Sequence, residues 1–210
     1  MINGEHTIEA LHVAKSFGRR GVLKDVTFGI RQGEIVGIAG ENGAGKSTLL
    51  KILVGLLAPT AGEVAINGSA GYCPQEMLVF ETLTVRENFR LFAAAYGLDQ
   101  TKRAAPWEEA ENELLERFRF HQYQNTLVSH LSGGTKQKLN LSLALLHSPD
   151  VLILDEPYSG FDWETYLRFW EFAAELRSQG RSVLIVSHFV YDRSKFDALF
   201  ELADGVLRCV

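Results

Sequence analysis

The glycine-rich segment at residues 40–47 constrains this chain most; it reads Gly40-Glu41-Asn42-Gly43-Ala44-Gly45-Lys46-Ser47. The nearly continuous apolar run 34–39 before it predicts a strand buried on both faces. Residues 47–57 after it predict a helix that ends before Pro59. Glycines let backbone N–H groups converge on phosphate oxygens, and the helix N-terminus adds the positive end of its dipole. The pattern G-x-x-x-x-G-K-S in this setting therefore predicts a phosphate-binding loop.

Three side chains at the end of this segment carry the predicted chemistry. Lys46 supplies a positive charge for the β- and γ-phosphates of a nucleotide, and the Ser47 hydroxyl can ligate Mg²⁺. Thr48 is placed for a further phosphate contact. We therefore expect residues 40–48 to bind a nucleoside triphosphate together with Mg²⁺, and Lys46 to take part in catalysis.

A second acidic motif follows another apolar run. Residues 151–154 predict a buried strand, and Asp155, Glu156 and Pro157 come directly after it. Ligands of parallel sheets bind beyond the carboxyl ends of the strands. We expect Asp155 to hold Mg²⁺, and Glu156 to act as the general base that orients the attacking water. Together the two motifs identify a P-loop NTPase.

The remaining chain predicts an α/β fold of one domain, residues 1–210, with a mainly parallel sheet. Antiparallel strands are expected near the N-terminus. Residues 76–130 are richer in helix formers, and Thr84 with Glu87 predicts a capping box at the start of a helix. We therefore assign 76–130 to an inserted α-helical subdomain, and 1–75 with 131–210 to the core and its β subdomain.

Several local predictions test this outline. Asn67-Gly68 is a strong hairpin-turn pair after a short predicted strand, and the tail 199–210 predicts a hairpin around Asp204-Gly205. Helices are predicted over 107–118, 135–147 and 164–179, the last with Gly180 as its C-cap.

Composition excludes several classes of protein. Twenty-one Lys and Arg against 26 Asp and Glu give a net charge of −5, which argues against nucleic acid as a partner. The two cysteines, Cys73 and Cys209, have no metal-ligand or redox spacing, so we expect reduced and inert thiols. No uncharged apolar stretch reaches the ~18 residues of a membrane span, and we expect no signal peptide.

One further motif narrows the family. The segment Leu131-Ser132-Gly133-Gly134-Thr135-Lys136-Gln137 resembles LSGGQ, the signature of ABC ATPases, with Thr135 at the usual glutamine. Other elements of that family follow in order: Phe17 resembles the adenine-stacking aromatic residue, Gln75 the Q-loop glutamine, Ser159-Gly160-Phe161-Asp162 the D-loop and His188 the switch histidine. The resemblance runs from about Ile8 to the tail. Tyr158, Phe161 and Glu41 depart from the usual Thr, Leu and Pro.

The resemblance implies a role for each of these residues. Gln75 would contact Mg²⁺ and sense the transporter partner, and His188 would contact the γ-phosphate. Phe17 would stack on adenine, although a core aromatic residue is the alternative. Ser132, Gly133 and Gly134 would complete the ATP site of a second subunit, so that two nucleotides lie in a head-to-tail dimer.

The resemblance also implies an activity and an assembly for this chain. The chain would hydrolyse ATP with Mg²⁺, pair with an identical or paralogous ATPase subunit, and drive a transmembrane permease from the cytoplasmic face of the membrane. Segments 83–88 and 92–98 resemble ATPases of multidrug and ABC-2 export systems.

Two alternatives are weaker. Soluble ABC ATPases of DNA maintenance carry a long coiled coil, for which no heptad region exists here, and ribosomal ones carry two ATPase halves in one chain. A monomeric P-loop kinase is disfavoured by the signature and the acidic pair.

Overall fold

The computed structural model describes residues 6–98, 107–188 and 192–210. The strands are β1 (His6–Phe17), β2 (Arg20–Arg31), β3 (Ile35–Ala39), β4 (Ala61–Ile66), β5 (Ala70–Cys73), β6 (Val151–Asp155), β7 (Ser182–Ser187), β8 (Ala198–Ala203) and β9 (Val206–Cys209). The helices are α1 (Lys46–Leu53), α2 (Val85–Ala95), α3 (Trp107–Arg117), α4 (Gly133–Leu145) and α5 (Trp163–Ser178). Within the described ranges the strands form one nine-stranded sheet in the order β4-β1-β2-β9-β8-β3-β7-β6-β5.

The centre of the sheet is parallel. Strand β3 pairs with β7 and β8, and β6 pairs with β7 and β5, all in parallel. Every residue of β6 and β7 is buried. Sheets of this kind are covered by helices on both faces, which is why the sequence of these strands reads as continuous apolar runs. The predicted α/β fold is confirmed.

The antiparallel parts lie toward one side of the sheet. Strand β1 pairs with β2 and with β4 in antiparallel fashion, as predicted for the N-terminal region. Strands β8 and β9 form the predicted tail hairpin, in which Asp204 and Gly205 both adopt positive φ. This hairpin places β8 beside β3, so the end of the chain packs against the strand that leads into the glycine-rich loop.

The hairpin predicted at Asn67-Gly68 is wrong. Strand β4 before it lies at one edge of the sheet and β5 after it lies at the other edge, so the segment is a crossover. Gly68 has a φ of 98°, and a Cβ there would lie 2.6 Å from Asp150 Oδ2. The Asp150 carboxylate accepts hydrogen bonds from the Ser69 amide and hydroxyl. Here glycine permits close approach to a distant residue rather than a tight hairpin turn.

Two α-helices, α2 and α3, lie within the described parts of the segment 76–130, which are residues 76–98 and 107–130. The predicted capping box is present at α2: Thr84 accepts from the Glu87 amide, and the Glu87 side chain accepts from the Thr84 amide. Phe89 of α2 and Leu115 of α3 belong to the same buried cluster as residues of α4 and α5. The helical segment therefore packs on the signature helix α4, while its division into a separate subdomain remains a prediction.

Several helix boundaries differ from those predicted, and local hydrogen bonds explain two of the differences. Helix α1 ends at Leu53, four residues early, because Gly55 takes a φ of 75° and its amide closes the last turn onto Ile52. Helix α4 begins at Gly133, two residues early, because the Ser132 hydroxyl caps the helix by accepting from the Thr135 amide.

Other sequence-based predictions concern the thiols and the membrane. Cys73 is buried and Cys209 is exposed, and neither forms a disulfide. Burial raises the pKa of the Cys73 thiol, which keeps it protonated and unreactive. Within the described residues, the helices are all too short or too polar to cross a bilayer.

Candidate functional site

A cleft of about 300 Å³ opens at the carboxyl ends of the central parallel strands. It brings together most of the predicted loop, acidic and switch residues: Asn42, Gly43, Gly45, Lys46, Ser47, Thr48, Gln75, Asp155, Glu156 and His188. These side chains come from four separate stretches of chain, which the parallel order β3-β7-β6-β5 aligns at one edge. Arg20 and Val22 of β2 complete the wall.

The glycine-rich loop is held tightly between two strands. Gly45 has a φ of 105°, and a Cβ there would lie 3.0 Å from atoms of Val22 and Leu23 in β2. On the other side, a Cβ at Gly40 would lie 2.5 Å from the Leu202 carbonyl of β8. Glycine is required at both positions for the loop to pass, and the loop delivers the N-terminus of α1 into the cleft.

Lys46 is 7% exposed and points into the loop. Its Nζ donates to the carbonyls of Gly40 at 2.6 Å and Glu41 at 2.9 Å. Burial lowers the pKa of this ammonium, and the nearby Glu156 and Asp155 carboxylates raise it in part. The lysine is therefore a positioned cation next to the helix N-terminus, where an anion is favoured.

Asp155 ends β6 and is 1% exposed. Burial raises the pKa of this carboxyl, while a hydrogen bond from Ser47 and the charge of Lys46 oppose the rise. Its Oδ1 is buried and has no hydrogen-bond partner among the described residues. The Ser47 hydroxyl and Gln75 line the same cleft as this unpaired oxygen. Such a set of oxygen atoms suits a hard cation, which prefers oxygen ligands.

Few carboxylates surround that position. No group of three or more His, Cys, Asp or Glu side chains with metal-binding geometry occurs in the described ranges. Mg²⁺ sites of nucleotide enzymes commonly use one or two protein carboxylates together with substrate phosphates and water. Asp155, Ser47 and Gln75 fit such a site and do not fit a cage made wholly of protein.

Glu156 sits in an unusual backbone conformation. Its φ is 53°, a left-handed value that is uncommon for residues other than glycine. Its amide donates to Val186 at 2.9 Å, and its carbonyl accepts from Ser159 at 3.1 Å, so both neighbouring segments hold this geometry. Sequence reasoning does not predict this conformation, since it arises from the turn that redirects the chain out of β6.

The Glu156 side chain faces His188. His188 Nε2 lies 3.2 Å from Glu156 Oε1. Burial raises the pKa of Glu156, and the adjacent His188 lowers it in part. Oε1 is buried and has no well-oriented hydrogen bond in the described structure, so its capacity to accept a hydrogen bond is unused. A carboxylate with a raised pKa in a cleft suits a general base.

Helix α4 makes hydrogen bonds to two of the loops that line the cleft. The Asn140 amide nitrogen donates to the Pro74 carbonyl at 3.0 Å, and its oxygen accepts from the Leu78 amide at 3.0 Å, so one side chain spans the Gln75 loop. One turn earlier, Gln137 donates to the Pro157 carbonyl at 3.1 Å, directly after the acidic pair. Sequence analysis predicts neither of these contacts, since nothing local marks them.

The signature turn lies outside the cleft. Ser132 and Gly133 are exposed, and neither they nor Gly134 line the walls of the cleft. A Cβ at Gly134 would lie 2.5 Å from the Gly160 carbonyl, whereas a Cβ at Gly133 would meet nothing within 4 Å. The turn is thus packed against the Ser159–Asp162 loop on one side and open on the other.

A larger groove of about 1040 Å³ adjoins the cleft and shares Glu156 and His188 with it. Tyr158 and Phe161, two of the positions that depart from the family pattern, line this groove. Further aromatic residues of its wall are Trp163, Tyr166 and Trp170. The phosphate loop does not reach this groove, so the chemistry assigned from the sequence lies in the smaller cleft.

Phe17 lies at the tip of the β1–β2 hairpin and is 51% exposed, so the core interpretation of this residue is wrong. The Lys15 ammonium lies 5.1 Å from its ring centroid. Phe17 does not line the cleft, and neither do Gly40, Glu41 and Ala44, whose backbone shapes the loop. Adenine stacking on Phe17 remains a prediction.

Comparison with known proteins shows the family of this chain. The family model "ABC transporter" matches residues 23–159. The probable multidrug ABC transporter ATP-binding protein YbhF of Escherichia coli (strain K12) is 35% identical over 93% of this chain, which spans 35% of YbhF. The Nod factor export ATP-binding protein I of Paraburkholderia xenovorans (strain LB400) is 35% identical over 91% of this chain and 66% of its own length.

Solved structures give the same result. A structure of the ATP-binding subunit of an ABC transporter is 31% identical, with a TM-score of 0.88 over 97% of this chain and 90% of that chain. A dimeric ATP-binding cassette in a post-hydrolysis state, bound to ADP and Pi, is 26% identical, with a TM-score of 0.85 over 97% of each chain. A phosphate loop, an acidic strand end and a signature turn on this fold identify the chain as an ATP-binding cassette of the ABC transporter family.

Proposed function

We propose that this chain binds and hydrolyses Mg-ATP as one of two ATPase subunits of a transporter. The subunits close head to tail around two nucleotides, and the motion drives a separate transmembrane permease from the cytoplasmic face of the membrane. Kinship with ATP-binding proteins named for multidrug transport and Nod factor export supports a role in export.

One observation carries this proposal. The N-termini of α1 and α4 both have the glycines and the hydroxyl side chain that suit an anion, and of these two only the N-terminus of α1 lies in the cleft. The start of α1 faces the cleft with Lys46, whereas the start of α4 at Ser132 is exposed elsewhere on the surface. A second copy, related by a two-fold axis, can supply its Ser132 turn to this cleft and receive the same in return. The dimeric relative bound to ADP and Pi supports that arrangement.

Within one subunit, the chain's own residues bind the phosphates. Backbone amides of the loop and the Lys46 ammonium bind the β- and γ-phosphate oxygens. Ser47, Asp155 and Gln75 would hold Mg²⁺, which neutralises charge on those phosphates when bound. The orphaned Oδ1 of Asp155 supports this assignment.

Hydrolysis requires a base and a group at the γ-phosphate. Glu156 accepts a proton from the attacking water at its side-chain carboxylate. His188, 3.2 Å from Glu156, keeps that side chain oriented and reaches toward the γ-phosphate. When the γ-phosphate leaves, the contacts that favour the closed dimer are lost, so the equilibrium shifts toward the open state.

The permease would dock on what we call the lobe patch, formed by Leu78, Phe80, Leu91 and Tyr96. These large apolar side chains are between 38% and 51% exposed and follow the Gln75 loop or lie on and beside α2. Exposed apolar clusters of this kind mark interaction surfaces. Asn140 is hydrogen-bonded to Pro74 and Leu78, on the two sides of Gln75. A movement of Gln75 at the cleft would therefore be transmitted to the lobe patch.

The Glu156→Gln variant tests the proposal. Loss of the general base is expected to lower hydrolysis by about 10²- to 10⁴-fold while leaving ATP bound. Trapped ATP then stabilises the closed pair, so light scattering should show a doubling of mass on addition of Mg-ATP.

The control is the double variant Lys46→Ala/Glu156→Gln, which should stay single because it holds ATP poorly. A Glu156→Gln chain that binds ATP and keeps the mass of one chain contradicts the dimer. Full turnover by the same variant contradicts the assigned base.

Docking on the lobe patch is tested separately. Leu78→Glu should abolish co-purification of the chain with its permease from membranes, and the ATPase rate of the isolated chain should match that of Leu56→Glu, an exposed leucine outside the patch. Co-purification that survives Leu78→Glu contradicts this surface.

A further inference from the structure

Arg20 is a wall residue of the cleft for which sequence analysis predicts no role. It begins β2, is exposed, and lines both the phosphate cleft and an adjoining cavity of about 540 Å³. With Lys46 it is one of two cationic Lys or Arg side chains on the described wall of the cleft.

The hairpin before β2 sets its position. Phe17 pairs with Arg20 across a two-residue turn in which Gly18 has a φ of 60°. Two residues later, Val22 packs on the glycine loop, where a Cβ at Gly45 would lie 3.0 Å from Val22 Cγ1. Since alternate residues of a strand share a face, Arg20 and Val22 face the loop together.

The Arg20 guanidinium has no charged partner in the described structure, although Glu41, Glu201 and Asp204 also line the adjoining cavity. Within the described part of the chain it forms no ion pair within 4.0 Å and no side-chain hydrogen bond. Lys46, by contrast, already donates to two loop carbonyls and is attracted by Asp155 and Glu156. The Arg20 guanidinium and the N-terminus of α1 both carry positive charge. An anion that lies between the guanidinium and the helix N-terminus is therefore favoured.

The two cavities show which part of a nucleotide Arg20 meets. The adjoining cavity shares Arg20, Asn42 and Gly43 with the cleft but lacks the acidic pair and His188. Phosphate transfer occurs beside Glu156, the proposed general base. Arg20 therefore lies toward the other end of the loop, away from the position of transfer. A phosphate at that end is one that ATP and ADP share.

We propose that Arg20 is a nucleotide-binding residue, and that its guanidinium binds a phosphate that stays with the nucleotide after hydrolysis. The inference rests on the proposed ATPase function. It predicts that Arg20 strengthens the binding of ATP and ADP by the same factor, and so sets the affinity for product as well as for substrate.

The test is binding of ATP and of ADP, by titration calorimetry, to Arg20→Ala and to Arg19→Ala. Arg19 is the adjacent exposed arginine in the turn and lines neither cavity, so it controls for net charge. Arg20→Ala should weaken both nucleotides equally, by about 10- to 100-fold, the range for one charge-assisted hydrogen bond. Arg19→Ala should bind both as the unmodified chain does.

Arg20→Gln, which removes the positive charge but keeps part of the apolar stem and a polar end, should show the same loss and guards against a packing defect in the alanine variant. Equal binding by the Arg19 and Arg20 variants overturns the inference. A loss confined to ATP also overturns it, since Arg20 would then contact the γ-phosphate. Failure of the unmodified chain to bind either nucleotide would instead overturn the proposed function.

Discussion

The two helix N-termini that the sequence marks for anions have opposite surroundings. The start of α1 is enclosed: β2 and β8 press on its loop from two sides, and Lys46, Asp155 and Glu156 converge on it. The start of α4 is enclosed on one side only, where Gly134 packs against Gly160, and Gly133 faces open space.

This difference separates what the chain does alone from what it does in an assembly. The enclosed terminus can bind nucleotide within one subunit, since its amides, cation and carboxylates are already together. The open terminus has the same chemistry without a cleft of its own. A Cβ at Gly133 would meet nothing within 4 Å inside the chain, so we expect this glycine to act in the proposed contact with a second subunit.

The largest expected effect comes from the enclosed terminus. Lys46→Ala removes the positioned cation and should weaken ATP binding by the single chain by about 10- to 100-fold, as for loss of a charge-assisted hydrogen bond. Lys51→Ala, an exposed lysine on the same helix, should leave the affinity unchanged. Equal binding of labelled ATP by the two variants contradicts the phosphate-loop assignment.

A pair of glycine substitutions sharpens the comparison. Gly134→Ala places a Cβ 2.5 Å from the Gly160 carbonyl, so it should destabilise the chain by about 1–3 kcal/mol and lower its Tm. Gly133→Ala meets nothing within 4 Å, so the Tm and single-chain ATP affinity should hold while ATP-driven dimerisation weakens. If Gly133→Ala dimerises and hydrolyses ATP normally, the open terminus has no role in assembly.

The smallest expected effect is on the free energy of unfolding, which the buried Asp155 carboxylate of the enclosed site lowers. Burial raises the pKa of Asp155 above the ordinary 3.8. The folded chain therefore binds this proton more tightly than the unfolded chain does. The resulting gain in the free energy of unfolding is complete below pH 3.8 and is lost as the pH rises through the pKa of the folded state. At pH 7.5 the buried charge therefore destabilises the nucleotide-free chain. Asp155→Asn should raise the free energy of unfolding by on the order of 1 kcal/mol, or ~2–4 °C in Tm.

The gain from Asp155→Asn should be smaller at an acidic pH than at pH 7.5, because the raised pKa lets the Asp155 carboxyl of the unmodified chain take up a proton more readily than an ordinary aspartate does. Glu201→Gln, at an exposed position, should change the Tm little at either pH. Thermal unfolding that shows no stabilisation by Asp155→Asn at pH 7.5 contradicts a buried, charged carboxylate in the apo site.

Sequence analysis predicted the residues of the enclosed terminus because each belongs to a short motif whose geometry is local. The capping box at Thr84 and the tail turn at Asp204-Gly205 were predictable for the same reason. The hairpin at Asn67-Gly68 failed because the pairing of β5 with β6 rather than β4 is decided by the whole sheet.

The residues that sequence analysis missed act across the fold. Asn140 and Gln137 reach the two loops of the cleft from a helix whose neighbours are set by packing, and Arg20 reaches it through the β1–β2 hairpin. An asparagine, a glutamine or an arginine has no local pattern that signals such a contact. The left-handed φ of Glu156 is likewise a product of strand-to-loop geometry.

The most direct test measures whether the open terminus of one chain meets the enclosed terminus of another. Chains carrying Ser132→Cys are mixed with differently tagged chains carrying Asn42→Cys, both in a Glu156→Gln, Cys209→Ser background that leaves only the buried Cys73. With Mg-ATP, a short bifunctional thiol reagent should join the two tags into one species, and without ATP it should not. Chains that bind ATP fully and give no mixed cross-link would contradict the shared site.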